Sequence, residues 1–184
     1  MRWIRFAILA YLVVLLQTTV AQLVRIPLGP VGAVRPDFLA MVALFVCLAV
    51  GGIGDAMLAA WVLGMLVDLT TGGGPGAATV VGPMALAYAL AAALIFRIRE
   101  AFFRERIVTR MLLGFLFCVV AHGLWVTAQS LAAAKQMTWG AYWTMLLQVV
   151  AVSLYTGAVA PILLVGLARL ERQLIVTPAG RARR

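Results

Sequence analysis

The residues of this chain that could carry chemistry are few and widely separated. Its 184 residues include six Asp and Glu, one histidine and two cysteines, against fifteen Lys and Arg. Asp37 follows Arg35-Pro36 at the start of an apolar run, and Asp68 closes a later one. A proline at the first helical position followed by an acid is typical of a helix N-terminus, so Asp37 is predicted to cap a helix. The sequence places no acid pair on one helix face, as intramembrane hydrolysis would need.

The histidine and the cysteines do not form a site in the sequence. His122 lies inside an apolar segment without a nearby acid on its own helix, which favours an interhelical hydrogen bond over a metal site or a proton relay. Cys47 and Cys118 lie in apolar runs, so neither a disulfide framework nor a thiolate cluster is indicated. The segment 72–76 lacks the Lys-Ser/Thr of a phosphate loop and is predicted to be a turn. We therefore predict a protein that is not an enzyme and has no cofactor and no metal.

The composition excludes a water-soluble globule. The chain is 65% hydrophobic and 11% charged, whereas soluble domains carry about 25% charged residues. Six helices of about 20 residues each would use most of the chain and leave no room for a soluble domain. We predict an all-α integral membrane protein, a six-helix transmembrane bundle forming a single domain over 1–184, with helices at about 6–24, 37–52, 55–71, 79–96, 111–131 and 140–168.

The distribution of cations predicts the orientation in the membrane. With a cytoplasmic N-terminus, six spans place all Lys and Arg on the inner side except Arg25, Arg35 and Lys135. The loop 97–110 is then a cytoplasmic amphipathic helix and 169–184 a cytoplasmic basic tail. These basic segments are expected to contact anionic lipid headgroups and no nucleic acid.

Two alternatives to this topology remain open. If 55–71 were re-entrant, five spans with an outer N-terminus would divide the cations equally well. The first helix also resembles a signal peptide, with a charged start, an apolar stretch 6–16 and a small-residue site at 19–21. Apolar character that continues to Val24 favours an uncleaved anchor instead.

The third predicted helix carries a stripe at four-residue spacing, Ala56, Ala60, Gly64 and Asp68. Small residues at this spacing allow close helix packing, so Asp68 is predicted to face protein. An acid near a helix C-terminus opposes the helix dipole and should have a cationic partner. Among the arginines near that end, Arg35 is the first candidate for an Asp68–Arg35 ion pair.

These segments resemble a known family. The start of helix 2 at 35–39, the helix end at 62–69 and the following Gly/Pro loop 72–82 are similar to the rod shape-determining protein MreD family. Met65 departs from the family pattern, in which leucine is more frequent. The family fold is similar to the membrane subunits of energy-coupling-factor vitamin transporters, so the resemblance implies the same fold here.

The resemblance also implies a function. It implies a non-enzymatic subunit of the bacterial cell-elongation (rod) complex, in the inner membrane, that helps to control lateral cell-wall synthesis and cell shape. The direct partner would be an MreC-like single-span protein. MreB, RodZ, the RodA glycosyltransferase and a penicillin-binding transpeptidase would be indirect partners. The residues expected to bind the partner are those that match the family motif and their neighbours: Arg35, Pro36, Asp37, Ala60, Gly64 and Asp68.

A second function follows from the same fold resemblance. The chain could be the substrate-binding membrane subunit of an energy-coupling-factor vitamin transporter. Helix 1 lacks the Ala-xxx-Ala stripe of those subunits, because Ala7 and Ala10 are three residues apart. The subunit of the elongation machinery is therefore the preferred prediction.

Overall fold

The computed structural model describes residues 3–29, 32–71, 82–99, 107–132 and 138–174, and in these ranges the chain is almost entirely helical. Two short strands, β1 (Ile26–Pro27) and β2 (Ala33–Val34), pair antiparallel between the first two helices. The six helices are α1 (Trp3–Leu23), α2 (Phe38–Ala49), α3 (Ile53–Thr71), α4 (Pro83–Ile98), α5 (Ile107–Ala132) and α6 (Trp139–Leu174).

The described helices fall into two length classes. Four are long and apolar enough to cross a membrane, namely α1, α3, α5 and α6. The other two are shorter than predicted, because α2 has 12 residues where 37–52 was predicted and α4 has 16 where 79–96 was predicted. At 1.5 Å per residue α2 is only about 18 Å long, against about 30 Å of hydrocarbon. The length of α3 favours a full span over the re-entrant alternative.

The short helix α2 is the centre of the bundle. It contacts each of the other five helices, and ten of its twelve residues, Phe38 to Cys47, are buried. An unbroken apolar sequence is typical of a helix enclosed on every side. Because α2 is too short to bring both ends to the membrane surfaces, its terminal backbone groups require partners within the protein.

Glycines allow the outer helices to pack in two close pairs. A Cβ at Gly64 of α3 would lie 2.6 Å from the carbonyl oxygen of Met84 in α4. A Cβ at Gly114 of α5 would lie 2.9 Å from the Cβ of Ala160 in α6. Ala60 is fully buried, so the predicted stripe of small residues is confirmed as a helix-packing face.

A buried arginine closes the other end of α2. The Arg99 side chain donates from Nη1 to the carbonyl oxygens of Cys47 at 2.7 Å and Val50 at 2.6 Å. Its guanidinium also lies 3.7 Å from the centre of the Phe96 ring. Arg99 was expected in a loop that contacts lipid headgroups, and this is wrong, because the last carbonyls of α2 need a donor inside the protein.

Other predicted boundaries shift. The ends of the predicted loop 97–110 belong to α4 and α5, and its central part, 100–106, lies outside the described residues. The helix α6 continues to Leu174, so the predicted tail starts later, and 175–184 lie outside the described residues. Asp55 lies within the first turn of α3, which begins at Ile53, two residues before the predicted start.

The packing of α3 against α4 generates a test. Gly64→Ala should lower the free energy of unfolding by about 1–3 kcal/mol, because the added methyl group meets the α4 backbone. Gly123→Ala is the matched control, since its Cβ would meet no atom within 4 Å, and alanine should be neutral or stabilise α5 by about 0.5–1 kcal/mol. Thermal unfolding in detergent measures both. Equal stability of the two variants would contradict the close contact.

Candidate functional site

Asp37 is the centre of a buried polar network. It is the N-cap of α2, as predicted, and its Oδ1 accepts a hydrogen bond from the amide of Ala40 at 3.0 Å. Its Oδ2 accepts a hydrogen bond from the hydroxyl of Tyr88 in α4 and lies 3.3 Å from Nε2 of His122 in α5. One carboxylate therefore links three helices.

Two more helices bind the backbone at the start of α2. The amide of Asp37 donates to the Thr156 hydroxyl in α6 at 3.0 Å, and the amide of Phe38 donates to Oε1 of Gln17 in α1 at 2.8 Å. The Gln17 amide group also donates to the carbonyl oxygen of Pro36 at 3.4 Å. Thus α1, α4, α5 and α6 each contribute a polar side chain to the first turn of α2.

This network lies deep in the bundle. His122 precedes the end of α5 by about 15 Å of helix, and Thr156 follows the start of α6 by about 25 Å. Both positions are inside segments long and apolar enough to span a membrane. The interhelical hydrogen bond expected for His122 is confirmed, since one ring nitrogen meets Asp37 and the other lies 3.0 Å from the Cys118 carbonyl oxygen. Ionisable groups at such depth are typical of functional sites.

Asp68 caps a helix instead of pairing with an arginine. Its Oδ2 accepts hydrogen bonds from the amides of Gly82 at 2.8 Å, Met84 at 3.2 Å and Ala85 at 3.3 Å, at the start of α4. The predicted Asp68–Arg35 ion pair is wrong, since none forms between these two described residues. The positive end of the α4 dipole stabilises the carboxylate in place of a cation. The prediction that Asp68 faces protein is confirmed, because it is 6% exposed.

The six residues predicted to bind a partner divide into two groups. Ala60, Gly64 and Asp68 lie at the contact between α3 and α4. The other three belong to the start of α2, where Pro36 and Asp37 are buried and Arg35 is half-buried. The structure therefore does not bring all six onto one exposed surface, and their role in partner binding stays a prediction.

A cavity of about 340 Å³ adjoins the Asp37 network, and its wall contains five polar side chains: Gln17, Arg35, Asp37, His122 and Gln148. The rest of the wall is mostly apolar and includes Trp125 and Met145. Within the described ranges, no group of three or more His, Cys, Asp and Glu could hold a metal ion. The arrangement suits helix anchoring and the binding of a small polar group.

Three members of the network were not predicted from the sequence, namely Gln17, Tyr88 and Thr156. Each is a polar residue isolated in an apolar helix, and all three are buried, Tyr88 and Thr156 completely. An isolated polar side chain in a membrane helix is expected to bond to another helix. The sequence therefore indicates that these three residues bond to another helix, but it does not identify the residue to which each one bonds.

The architecture and the comparisons agree. Residues 2–157 match the family described as rod shape-determining protein MreD. This chain belongs to the MreD family. It is therefore a multi-pass membrane protein with a role in rod shape determination, in a family that is structural and not a known enzyme family. No curated protein and no solved structure matches the chain significantly, and the fold similarity to energy-coupling-factor transporter subunits stays a prediction.

The contacts of Asp68 generate a second test. Asp68→Ala should lower the free energy of unfolding by about 0.5–2 kcal/mol, because the first amides of α4 lose their acceptor. Asp68→Asn should cost less, since its amide oxygen still accepts a hydrogen bond.

Charge reversal distinguishes this cap from an ion pair. The double variant with Asp68→Arg and Arg35→Asp should lose as much free energy of unfolding as the two single variants lose together, because the two side chains do not pair. Thermal unfolding of the single and double variants measures the difference. Recovery of stability in the double variant would contradict the assignment.

Proposed function

We propose that this MreD-family protein is the membrane subunit of the elongation complex that binds an MreC-like single-span partner. The family match over residues 2–157 carries the proposal. The resemblance implies that the MreC-like partner has one membrane span and a coiled coil outside the membrane. The partner would therefore contact this chain through its span and the segment next to that span. The indirect partners are MreB, RodZ, RodA and a penicillin-binding transpeptidase, and the protein lies in the bacterial inner membrane with both termini in the cytoplasm.

An exposed apolar patch supports a docking surface between α1 and α2. Leu23 is 85% exposed, Ile26 46% and Leu28 45%. These side chains lie at the end of α1 and on the β1–β2 hairpin, at the same end of the bundle as Asp37. Exposed apolar side chains on a membrane helix ordinarily face lipid, but Ile26 and Leu28 lie beyond the end of α1, on the hairpin, where an exposed apolar set is typical of an interaction site. We name Leu23, Val24, Ile26 and Leu28 the hairpin patch.

The buried residues of the predicted set have an indirect role in this proposal. Pro36 and Asp37 fix the start of α2, which follows the hairpin directly. Ala60, Gly64 and Asp68 fix α3 against α4. Substitution of any of them would move the surface that the partner contacts, so they would affect partner binding without touching the partner. The vitamin-transporter alternative stays a prediction from resemblance.

The docking proposal generates a third prediction. Leu28→Glu should weaken co-purification of a co-expressed MreC-like protein by about tenfold or more, because burial of a leucine contributes about 1.5–3 kcal/mol and a charge at that place opposes it. The amount of protein in the membrane fraction should not change, since Leu28 is half-exposed in the free chain. In cells that lack the native protein, this variant should fail to restore rod shape.

Leu131→Glu is the matched control. Leu131 is 74% exposed near the end of α5, at the same end of the bundle but on a different helix. The Leu131→Glu variant should bind the partner and restore rod shape as the unmodified protein does. If both variants keep the partner, the hairpin patch is not the docking surface. If the unmodified protein itself fails to bind the partner, the proposed function fails.

A further inference from the structure

The cavity next to Asp37 has the size and the lining of a ligand site. Its volume of about 340 Å³ lies within the range of about 300–1,000 Å³ that is usual for small-molecule sites. Exposed Met145 and Gln148 belong to its wall, so it communicates with the surface, while buried Gln17 and Asp37 form its deeper part. Its polar groups converge in a wall that is otherwise apolar, which is the usual composition of a binding site.

Arg35, the cation in the cavity wall, is bound to no anion among the described residues. Arg35 is half-buried in the wall, and its guanidinium forms no hydrogen bond or ion pair with any part of the chain that the structure describes. The acids at this end of the bundle are Asp37 and Asp68. The first is bound by Tyr88 and His122, and the second by the amides of α4. A half-buried guanidinium without an accepting partner is unfavourable.

We propose that the cavity binds an anionic amphiphile, a molecule with one phosphate or carboxylate group attached to a hydrocarbon part. The anionic group pairs with the guanidinium of Arg35, whose fork of N–H donors suits either group. Gln148 supplies a neutral amide beside it, and the hydrocarbon part lies along Trp125, Met145 and Val152. The proposal does not depend on partner binding, because it concerns the free chain.

Two sources supply this chemistry, an anionic phospholipid and a soluble organic phosphate. The lipid is tested by native mass spectrometry of protein released from nanodiscs that contain equal amounts of phosphatidylglycerol and phosphatidylcholine. The unmodified protein should retain one phosphatidylglycerol in preference to phosphatidylcholine. Arg35→Gln should reduce this retention at least about tenfold, since a charge-assisted hydrogen bond is lost.

Arg25→Gln is the matched control, because Arg25 is an exposed arginine next to the same hairpin that does not line the cavity. It should retain the lipid as the unmodified protein does. Val152→Trp tests the site without changing its charge, because the larger side chain fills the cavity. It should also lose the lipid while its thermal unfolding remains cooperative.

The soluble source is tested by titration calorimetry with hexyl phosphate, which carries one phosphate group on a short hydrocarbon chain. If the unmodified protein binds the soluble probe and Arg35→Gln does not, the proposal is supported with a soluble ligand. If the unmodified protein retains the lipid but does not bind the soluble probe, the proposal is supported with a lipid ligand. The proposal is overturned if neither probe binds. It is also overturned if Arg35→Gln binds as the unmodified protein does, or if Arg25→Gln and Arg35→Gln lose binding equally.

Discussion

The fold depends on a helix that is too short to bring both of its ends to the membrane surfaces. Because α2 has 12 residues and is enclosed by the five other helices, its free backbone amides and carbonyls require partners inside the protein. Asp37, Gln17 and Thr156 meet this need at the start of the helix, and Arg99 meets it at the end. Gln17 and Thr156 belong to α1 and α6, and Arg99 directly follows α4, so completing α2 also fixes the positions of these neighbours.

The same constraint produces the cavity. A helix that starts deep in the bundle leaves space between its first turn and the longer helices α5 and α6, which continue beyond it. The connection from α1 enters this space and places Arg35 in its wall. The features proposed for function therefore follow from the anchoring of α2. The hairpin patch lies at the start of that connection, and Arg35 lies near its end.

Sequence reasoning predicted those features that depend on one helix at a time. The cap at Asp37 and the interhelical bond of His122 follow from residue type and position, and the structure confirms both. The partners of Asp68 and Arg99 were missed because they are backbone groups of other helices, which carry no mark in the sequence. Hydropathy locates apolar segments but does not show how deeply each one is enclosed in the bundle. The shortness of α2 and its central position therefore could not be predicted.

The Asp37 carboxylate joins α2 to α5 through His122. A double-mutant cycle of thermal unfolding in detergent tests it most directly, with Asp37→Ala, His122→Ala and the double variant. We expect coupling, in which the second substitution costs less once the first is present, by an interaction free energy of about 1 kcal/mol or more. Additive losses, within about 0.5 kcal/mol, would show that the two side chains act independently and would contradict the account.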